Sequence, residues 1–581
     1  MTQDRRDGGR DRGRDRDSAR DGARDSARGG AGGRDRGRDR GGEGGRSRAD
    51  RRDLRAGRPQ RRTATAPSQR SRSADDARLV AFEVMRAIDD GAYANLELPR
   101  ALRRAGLTGR DAAFVTELVY GATRLRGRYD PIIGRGAGRD VTDIDPEVLD
   151  VLRLGAHQLL GMRVDSYAAV DSSVALTREL LGTGRAGFVN AVLRRVSEKD
   201  PQQWRDILLK GVEPGSDEAL AVSHSHPAWV VRALRAALEA HLGEDADSGG
   251  GIEALLEADN APATVALVAR PGLADVEELV AAGATRSQLS PIAALLESGG
   301  DPGRIAAVRS SRAAVQDEGS QLVALAALAA AAENGTVEAR PTEPDGGQPL
   351  HEPDNDRPDE HRGDDEPTGE PEGARWLDLC AGPGGKAALL AAASIGAGAT
   401  LFANDASEHR TRLVDQAVGA AIDAGADVFV GTGDGREIGE QEPDSFDLVL
   451  LDSPCTGLGA LRRRPEARWR RSPEDVGSLS QLQGELLDSA VAATKPGGLI
   501  AYITCSPHPA ETRFVVADAV ARHENLEALD AQPYVRDASG QPVSDLGQAP
   551  YVQLWPHRHG TDAMFLALLR KRSAATASAT S

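Results

Sequence analysis

Cysteine, lysine and long apolar runs are all scarce in this chain of 581 residues. Its three cysteines, Cys380, Cys455 and Cys505, cannot build a disulfide framework. No Cys-x-x-Cys pair offers a zinc or redox site, so no metal is expected. The first residues hold no apolar stretch of the kind a secretory signal needs. The longest apolar run, near Leu322–Ala332, is about half of the ~20 residues that span a bilayer. Five lysines stand against 67 arginines, which reads as genome composition rather than function. These absences predict a cytoplasmic protein with no membrane partner, expected to act as a monomer.

A basic excess is missing too. The chain holds 72 Lys and Arg against 89 Asp and Glu, a formal net charge of −17. Taken whole, that opposes a nucleic-acid partner, but the sum averages unlike parts. Residues 1–75 carry 23 Arg against 13 acids, a net of +10. They are Arg-Asp-Gly repeats with almost no large apolar residue and are expected to be disordered, as a solubilising tail or a loose RNA tether. Residues 333–374 hold 14 acidic and 3 basic residues with many Pro and Gly, and read as an acidic disordered insert. The last ten residues, 572–581, are expected to be a disordered tail.

Between these segments the chain divides by periodicity. Residues 76–205 read as an all-α domain. Leu79, Val80, Phe82, Val84, Met85 and Ile88 follow helical spacing, and further helices are expected over Ala112–Gly121, Pro146–Gly161, Tyr167–Leu181 and Arg185–Val196. Residues 206–315 read as a linker and a small α+β module, with short strands expected over Ala263–Ala269 and Ala306–Val315. Its Ser223–Trp229 stretch carries two histidines, but no acid or cysteine stands at ligand spacing, so it reads as a linker with a Trp anchor. Residues 316–332 read as a lead-in helix. Over 375–571, short β-rich runs at Trp376–Cys380, Thr400–Asn404, Ala426–Val430, Phe446–Leu451 and Gly498–Thr504 alternate with helical stretches. That order predicts a Rossmann-like α/β domain with a parallel sheet.

The chemistry-bearing residues fall at the ends of those strands, where an open α/β sheet binds its ligand. The first strand runs into Cys380-Ala381-Gly382-Pro383-Gly384-Gly385-Lys386. Glycines there let backbone N–H groups approach a ligand, yet neither phosphate-loop nor dinucleotide spacing is present. Asp405 closes the next strand, where a carboxylate can bond a ribose diol. A Gly-rich turn with such an acid suits S-adenosylmethionine, a nucleoside cofactor without phosphate. Asp434 follows the third strand, Asp452 ends the fourth beside Pro454-Cys455, and Cys505 ends the fifth. Two thiols flanking one crevice suit methylation at C5 of cytosine. A thiolate adds to C6, C5 then attacks a methyl sulfonium, and a base removes the C5 proton. Asp452 can serve N3 if burial lets it hold a proton. Which thiol attacks stays open. After Cys455 comes Leu461–Arg471, with six arginines and Trp469. Arg462, Arg463, Arg464, Arg468 and Trp469 read as RNA contacts, through phosphate pairing and base stacking.

Together these residues resemble the RsmB/NOP2/Sun family of RNA cytosine-C5 methyltransferases. Leu377–Lys386 looks like the family's cofactor motif, Asp452-Ser453-Pro454-Cys455-Thr456-Gly457 like its Pro-Cys motif, and Thr504-Cys505-Ser506 like its second cysteine motif. Gln316–Gln321 resembles its lead-in, and Ser225–Trp229 the segment before its small module. Val119-Tyr120-Gly121 and Gly187–Arg195 resemble an RNA-binding NusB-type domain, a fusion that points to bacterial members acting on small-subunit rRNA. The departures, Ser453 for Ala and Gly382 where Ala is common, remove no needed group. The resemblance implies that Cys505 is the nucleophile and Cys455 assists product release. It implies that Cys380–Lys386, Asp405, Asp434 and Asp452 line the cofactor site, and that the substrate is 16S rRNA or an assembly intermediate, at cytosine 967 by family analogy. The alternatives are a non-catalytic RNA-binding assembly factor, a methyltransferase for a different RNA, and a DNA cytosine methyltransferase, which uses the Pro-Cys thiol.

Overall fold

The computed structural model describes residues 74–297, 299–335 and 373–573. The segments expected to be disordered, 1–75, 333–374 and 572–581, lie almost wholly outside the described residues. The first domain is helical throughout: α1 (Asp76–Asp89), α2 (Ala94–Ala105), α3 (Gly109–Arg124), α4 (Arg126–Ala137), α5 (Pro146–Leu160), α6 (Ser166–Leu180) and α7 (Thr183–Val196). Local chemistry sets their ends. Asp75 caps α1 by accepting from Arg78 N, and Asp145 caps α5 with Pro146 at its first position. Buried Val80, Val84, Ile88, Val115, Leu118, Ile132, Val151 and Leu193 form one core.

Sequence reasoning did not single out α2 and α4. Pro99 lies inside α2, and α4 carries Pro131 and three glycines. Burial of Leu98, Ala101, Tyr129, Ile132 and Ile133 outweighs their poor propensity. Where α3 crosses α5, a side chain on Gly121 would lie 2.0 Å from Nε2 of buried His157, so only glycine fits there.

Helices α8 (Pro201–Leu208), α9 (Asp217–His224), α10 (Ala228–Leu242) and α11 (Gly251–Asn260) lead to the small module. That module contains β1 (Val265–Ala269), α12 (Val276–Ala281), β2 (Thr285–Arg286), β3 (Ala293–Leu296), α13 (Ala306–Arg309) and β4 (Ala313–Val315). Its antiparallel sheet has the order β2-β3-β1-β4. The strand expected over Ala306–Val315 needs correction. Its first part is the helical turn α13, whose Ala307 packs inward, and only Ala313–Val315 pairs with β1.

After α14 (Glu318–Glu333), the larger sheet begins with β5 (Arg375–Asp378), α15 (Gly385–Ala397), β6 (Thr400–Asp405), α16 (Glu408–Asp423) and β7 (Asp427–Thr432). It continues with α17 (Ile438–Gln441), β8 (Phe446–Asp452), α18 (Ala467–Arg470), α19 (Pro473–Ala493) and β9 (Thr494–Thr504). It ends with α20 (Arg513–Arg522), β10 (Leu526–Leu529), β11 (Val552–Gln553), α21 (Pro556–His559) and β12 (Phe565–Lys571). The order is β10-β12-β9-β8-β5-β6-β7, and the run from β9 to β7 is parallel. Alternation along the strands divides the core. Leu448, Leu450, Ala501 and Ile503 face α14, α15 and α16, while Val449, Leu451, Ile500 and Tyr502 face α19 and α20. The chain moves outward from β5 through β6 and β7, then returns to the other side with β8. The crevice between the ends of β5 and β8 is thus a topological switch point. No described helix is long and apolar enough to cross a membrane.

Replacing Gly121 with valine drives the new side chain into His157 and is expected to cost about 1–3 kcal/mol. Gly187→Ala on α7 meets open space and is the control. Thermal melts should show a clear fall for the first and little change for the second.

Candidate active site

At the end of β5, Asp378 is fully buried, and both its carboxyl oxygens lack a hydrogen-bond partner among the described residues. Burial, reinforced by nearby Asp452, pushes it up to about 8. The chain then turns through Cys380, Ala381, Gly382 and Pro383 onto Gly384, which caps α15 at φ +105°. Ala381 N donates to Asn404 O at 2.8 Å, and Gly382 N donates to Asp405 Oδ2 at 3.0 Å, so the turn is fastened to β6. A side chain on Gly382 would meet Asp405 Oδ2 at 2.5 Å, and one on Gly384 would meet Ala417 at 2.7 Å. Gly385 and Lys386 form the first turn of α15, and Lys386 Nζ reaches Asp452 Oδ2 at 2.7 Å.

Asp405 is buried and already engaged. It also accepts from Ser407 N at 3.0 Å and pairs with Arg410 at 3.2 Å. Asn404 ties the second loop to the third, donating to Leu379 O and Gly433 O. Asp434 stands on that third loop, more exposed, and the guanidinium of Arg436 holds it below the usual carboxylate range. The turn and Asp378, Asp405 and Asp452 therefore meet at one crevice, while Asp434 stands on the neighbouring loop, paired with Arg436.

These residues fit S-adenosylmethionine. A buried carboxyl without a partner beside a glycine cradle suits a ligand that brings positive charge and hydroxyl groups but no phosphate. Among them Asp378 was the residue that sequence reasoning passed over, because its signal is burial without a partner rather than a motif. Asp452 does not meet the condition of burial that its N3 role is tied to. Its side chain is 32 % exposed and ion-paired to Lys386. The deep position belongs to Asp378.

The two strand-end thiols converge because β8 and β9 pair in parallel register, with Asp452 beside Ile503. Each chain turns just beyond that point, and Cys455 Sγ lies 3.4 Å from Cys505 Sγ. Contact with the Cys455 S–H lowers the Cys505 thiol, and Arg464 and Lys386 add to the effect. The same contact, with burial and the charge of Glu511, raises the Cys455 thiol. Cys380 stays apart from this pair. Burial among Asp378, Asp405 and Asp452 pushes its thiol up. Glu511, buried beneath both cysteine loops, is a further residue that no motif pointed to.

The arginine run departs most from expectation. Arg468 is fully buried and donates to Asn260 Oδ1 at 2.8 Å, Ser225 O at 3.2 Å and Asp259 O at 3.1 Å. Trp469 donates its indole N–H to Thr123 O at 2.8 Å, and its ring covers Gly127 on α4. Arg470 donates to the carbonyls of Ile88, Gly91 and Ala92 at the end of α1, and Glu466 accepts from Ala94 N at the start of α2. Arg463 pairs with Asp562 and Arg462 with Asp317. Arg468 and Trp469 are therefore not placed as RNA contacts. They staple the catalytic domain to the helical domain and to α11, because their polar groups are taken by backbone carbonyls that no count of charges can see. Arg464 forms no ion pair among the described residues and lies 5.2 Å from the ring of Tyr93.

Sheet order, glycine cradle and orphaned acid are those of an S-adenosylmethionine-dependent methyltransferase, here joined to a helical domain. Residues 369–570 match the model of the 16S rRNA methyltransferase RsmB/F family, and residues 75–198 match that of the NusB family. The chain is 45% identical over 504 residues to MT1451 of Mycobacterium tuberculosis (strain CDC 1551), which is named a methyltransferase, covering 86% of this chain and 98% of that protein. It is 30% identical over 506 residues to the ribosomal RNA small subunit methyltransferase B of Thermus thermophilus, covering 85% and 97%. The crystal structure of PH0851 shares the fold at a TM-score of 0.66 and 20% identity, over 87% of this chain and 99% of that one. The chain belongs to the RsmB/F family of 16S rRNA methyltransferases.

Two substitutions test this geometry. Gly384→Val, at φ +105°, drives its side chain into Ala417 on α16 and should both lower thermal stability and abolish binding of the methyl donor by calorimetry. Arg468→Ala should lower thermal stability and leave the salt dependence of RNA binding unchanged. A shallower salt slope, by about one, would return Arg468 to the RNA surface.

Proposed function

We propose that this protein methylates C5 of a cytosine in 16S rRNA, at position 967, through a covalent bond between Cys505 and C6. The observation that carries this reading is the 3.4 Å contact of two thiols at adjacent strand ends, facing the glycine turn. C5 of cytosine is a poor nucleophile until a thiolate adds to C6 and leaves enamine character at C5. Cys505 is the better thiolate of the two, held down by the Cys455 S–H and by Arg464 and Lys386. S-adenosylmethionine supplies the methyl sulfonium when bound.

Asp452 faces N3 and the amino group of the base. Lys386, bonded to it at 2.7 Å, is the neighbouring proton source for a hydrogen bond to N3. Loss of the C5 proton to a solvent base re-forms the C5–C6 double bond and expels Cys505 as a thiolate, and Cys455, which keeps its proton, assists that departure through its S–H contact. Asp405 holds the ribose of the methyl donor, and Asp434 closes the rim. Reaching Asp405 requires the Arg410 side chain to move aside. The RNA backbone passes along Arg464 and the exposed edges of Arg462 and Arg463. The helical domain supplies further RNA contacts, on free rRNA or on a partly assembled subunit.

Cys505→Ala is expected to lower methyl transfer by roughly a thousandfold or more. Cys455→Ala should instead accumulate a protein–RNA adduct that resists denaturing gels. Adduct formation that survives in Cys505→Ala and vanishes in Cys455→Ala reverses the two roles. Bisulfite sequencing of rRNA from cells lacking the protein should show loss of one modified cytosine, and an unchanged rRNA profile refutes the substrate.

A further inference from the structure

Two thiols in contact are chemically alike, and something must decide which one keeps the proton. Glu511 is fully buried, yet four donors converge on its carboxylate. Oε1 accepts from Thr456 N at 2.7 Å and from Gln483 Nε2 at 3.4 Å. Oε2 accepts from Thr456 Oγ1 at 2.5 Å and from Ser506 Oγ at 2.6 Å. Thr456 follows Cys455, and Ser506 follows Cys505. One carboxylate therefore grips both cysteine loops, but unequally, since both the backbone and the side chain of Thr456 donate to it.

The surrounding charges are arranged with the same asymmetry. Lys386 and Arg464 act on Cys505, with Asp452 opposing them and Arg463 close by. Glu511 acts on Cys455, with the Tyr502 hydroxyl donating to its backbone carbonyl at 2.8 Å. His508 stands beside Glu511, and burial disfavours its charged form. Cations thus face one sulfur and an anion the other, across a gap of 3.4 Å.

We propose that Glu511 is the positioning residue that assigns the nucleophile: its carboxylate, bonded to the loop of Cys455, keeps the shared proton on Cys455 and leaves Cys505 as the thiolate. This rests on the reading of Cys505 as the attacking group and adds what makes it so. Glu511 itself touches neither substrate nor cofactor. Hydrogen bonds alone would let an isosteric amide replace it, whereas a charge would not.

The test is limited alkylation by iodoacetamide across a pH series, with the modified cysteine identified by mass spectrometry and without RNA or methyl donor. In the unaltered protein Cys505 should react first. Glu511→Gln keeps the shape and removes the charge, and the ratio of Cys505 to Cys455 labelling should fall about tenfold, the equivalent of one pKa unit. Glu511→Asp keeps the charge and should hold the ratio within about threefold, the tenfold-per-unit scale making that about half a unit. An unchanged ratio in Glu511→Gln, a collapse in Glu511→Asp, or first labelling of Cys455 in the unaltered protein each overturns the proposal. If the Gln variant fails to fold by circular dichroism, the Asp variant decides alone. Failure of the methylation reading would appear in the rRNA assay and leave these ratios untouched.

Discussion

Everything at the active site depends on the parallel register of β8 and β9. Parallel strands end on the same side of a sheet, and residues that follow their last paired positions emerge together. With Asp452 opposite Ile503, the turn that begins at Ser453 and the turn that begins at Cys505 leave the sheet side by side. Ser453 N donates to Ile503 O at 2.8 Å and holds that departure point. A shift of one residue would reverse which face each following side chain takes and separate the sulfurs. The cores on both sheet faces, one packed by α14 to α16 and the other by α19 and α20, resist that slip, because every strand residue would change sides.

A second constraint joins the domains. The loop that leaves Cys455 does not return directly to its own domain. It passes through the arginine run, where Arg468 enters the interior against α11 and Trp469 enters the helical domain. Burial of a guanidinium is costly unless its donors are engaged, and here backbone carbonyls and the Asn260 amide oxygen engage both terminal nitrogens of Arg468. Arg463 adds a buried pair with Asp562, next to the final strand. Three parts of the chain therefore hold one catalytic loop in place.

Much of this was legible in the sequence, and the reasons for the exceptions are physical. The glycine turn, the Pro-Cys and Thr-Cys-Ser strand ends and the β/α alternation are local patterns, and local patterns survive in one dimension. Asp378 and Glu511 are ordinary acids in a chain rich in acids. Both are buried, and their character comes from what surrounds them: no hydrogen-bond partner for Asp378 and four converging donors for Glu511. The helices α2 and α4 hide behind prolines and glycines whose cost tertiary packing offsets. The arginine run misleads for the opposite reason. Its composition is strong, but composition does not reveal that the partners of Arg468 and Arg470 are peptide carbonyls hundreds of residues away.

The staple also has a direction in time. A ribosome makes the chain from its N-terminus, so the carbonyls of Ile88 and Thr123 emerge long before Arg470 and Trp469, which bind them. The helical domain is the receptor, and the loop carrying Cys455 arrives as the late ligand. Cys505 and Glu511 come later still. The reactive pair is thus assembled from the last third of the chain onto a surface already built, and a nascent fragment ending before β9 presents only one of the two sulfurs.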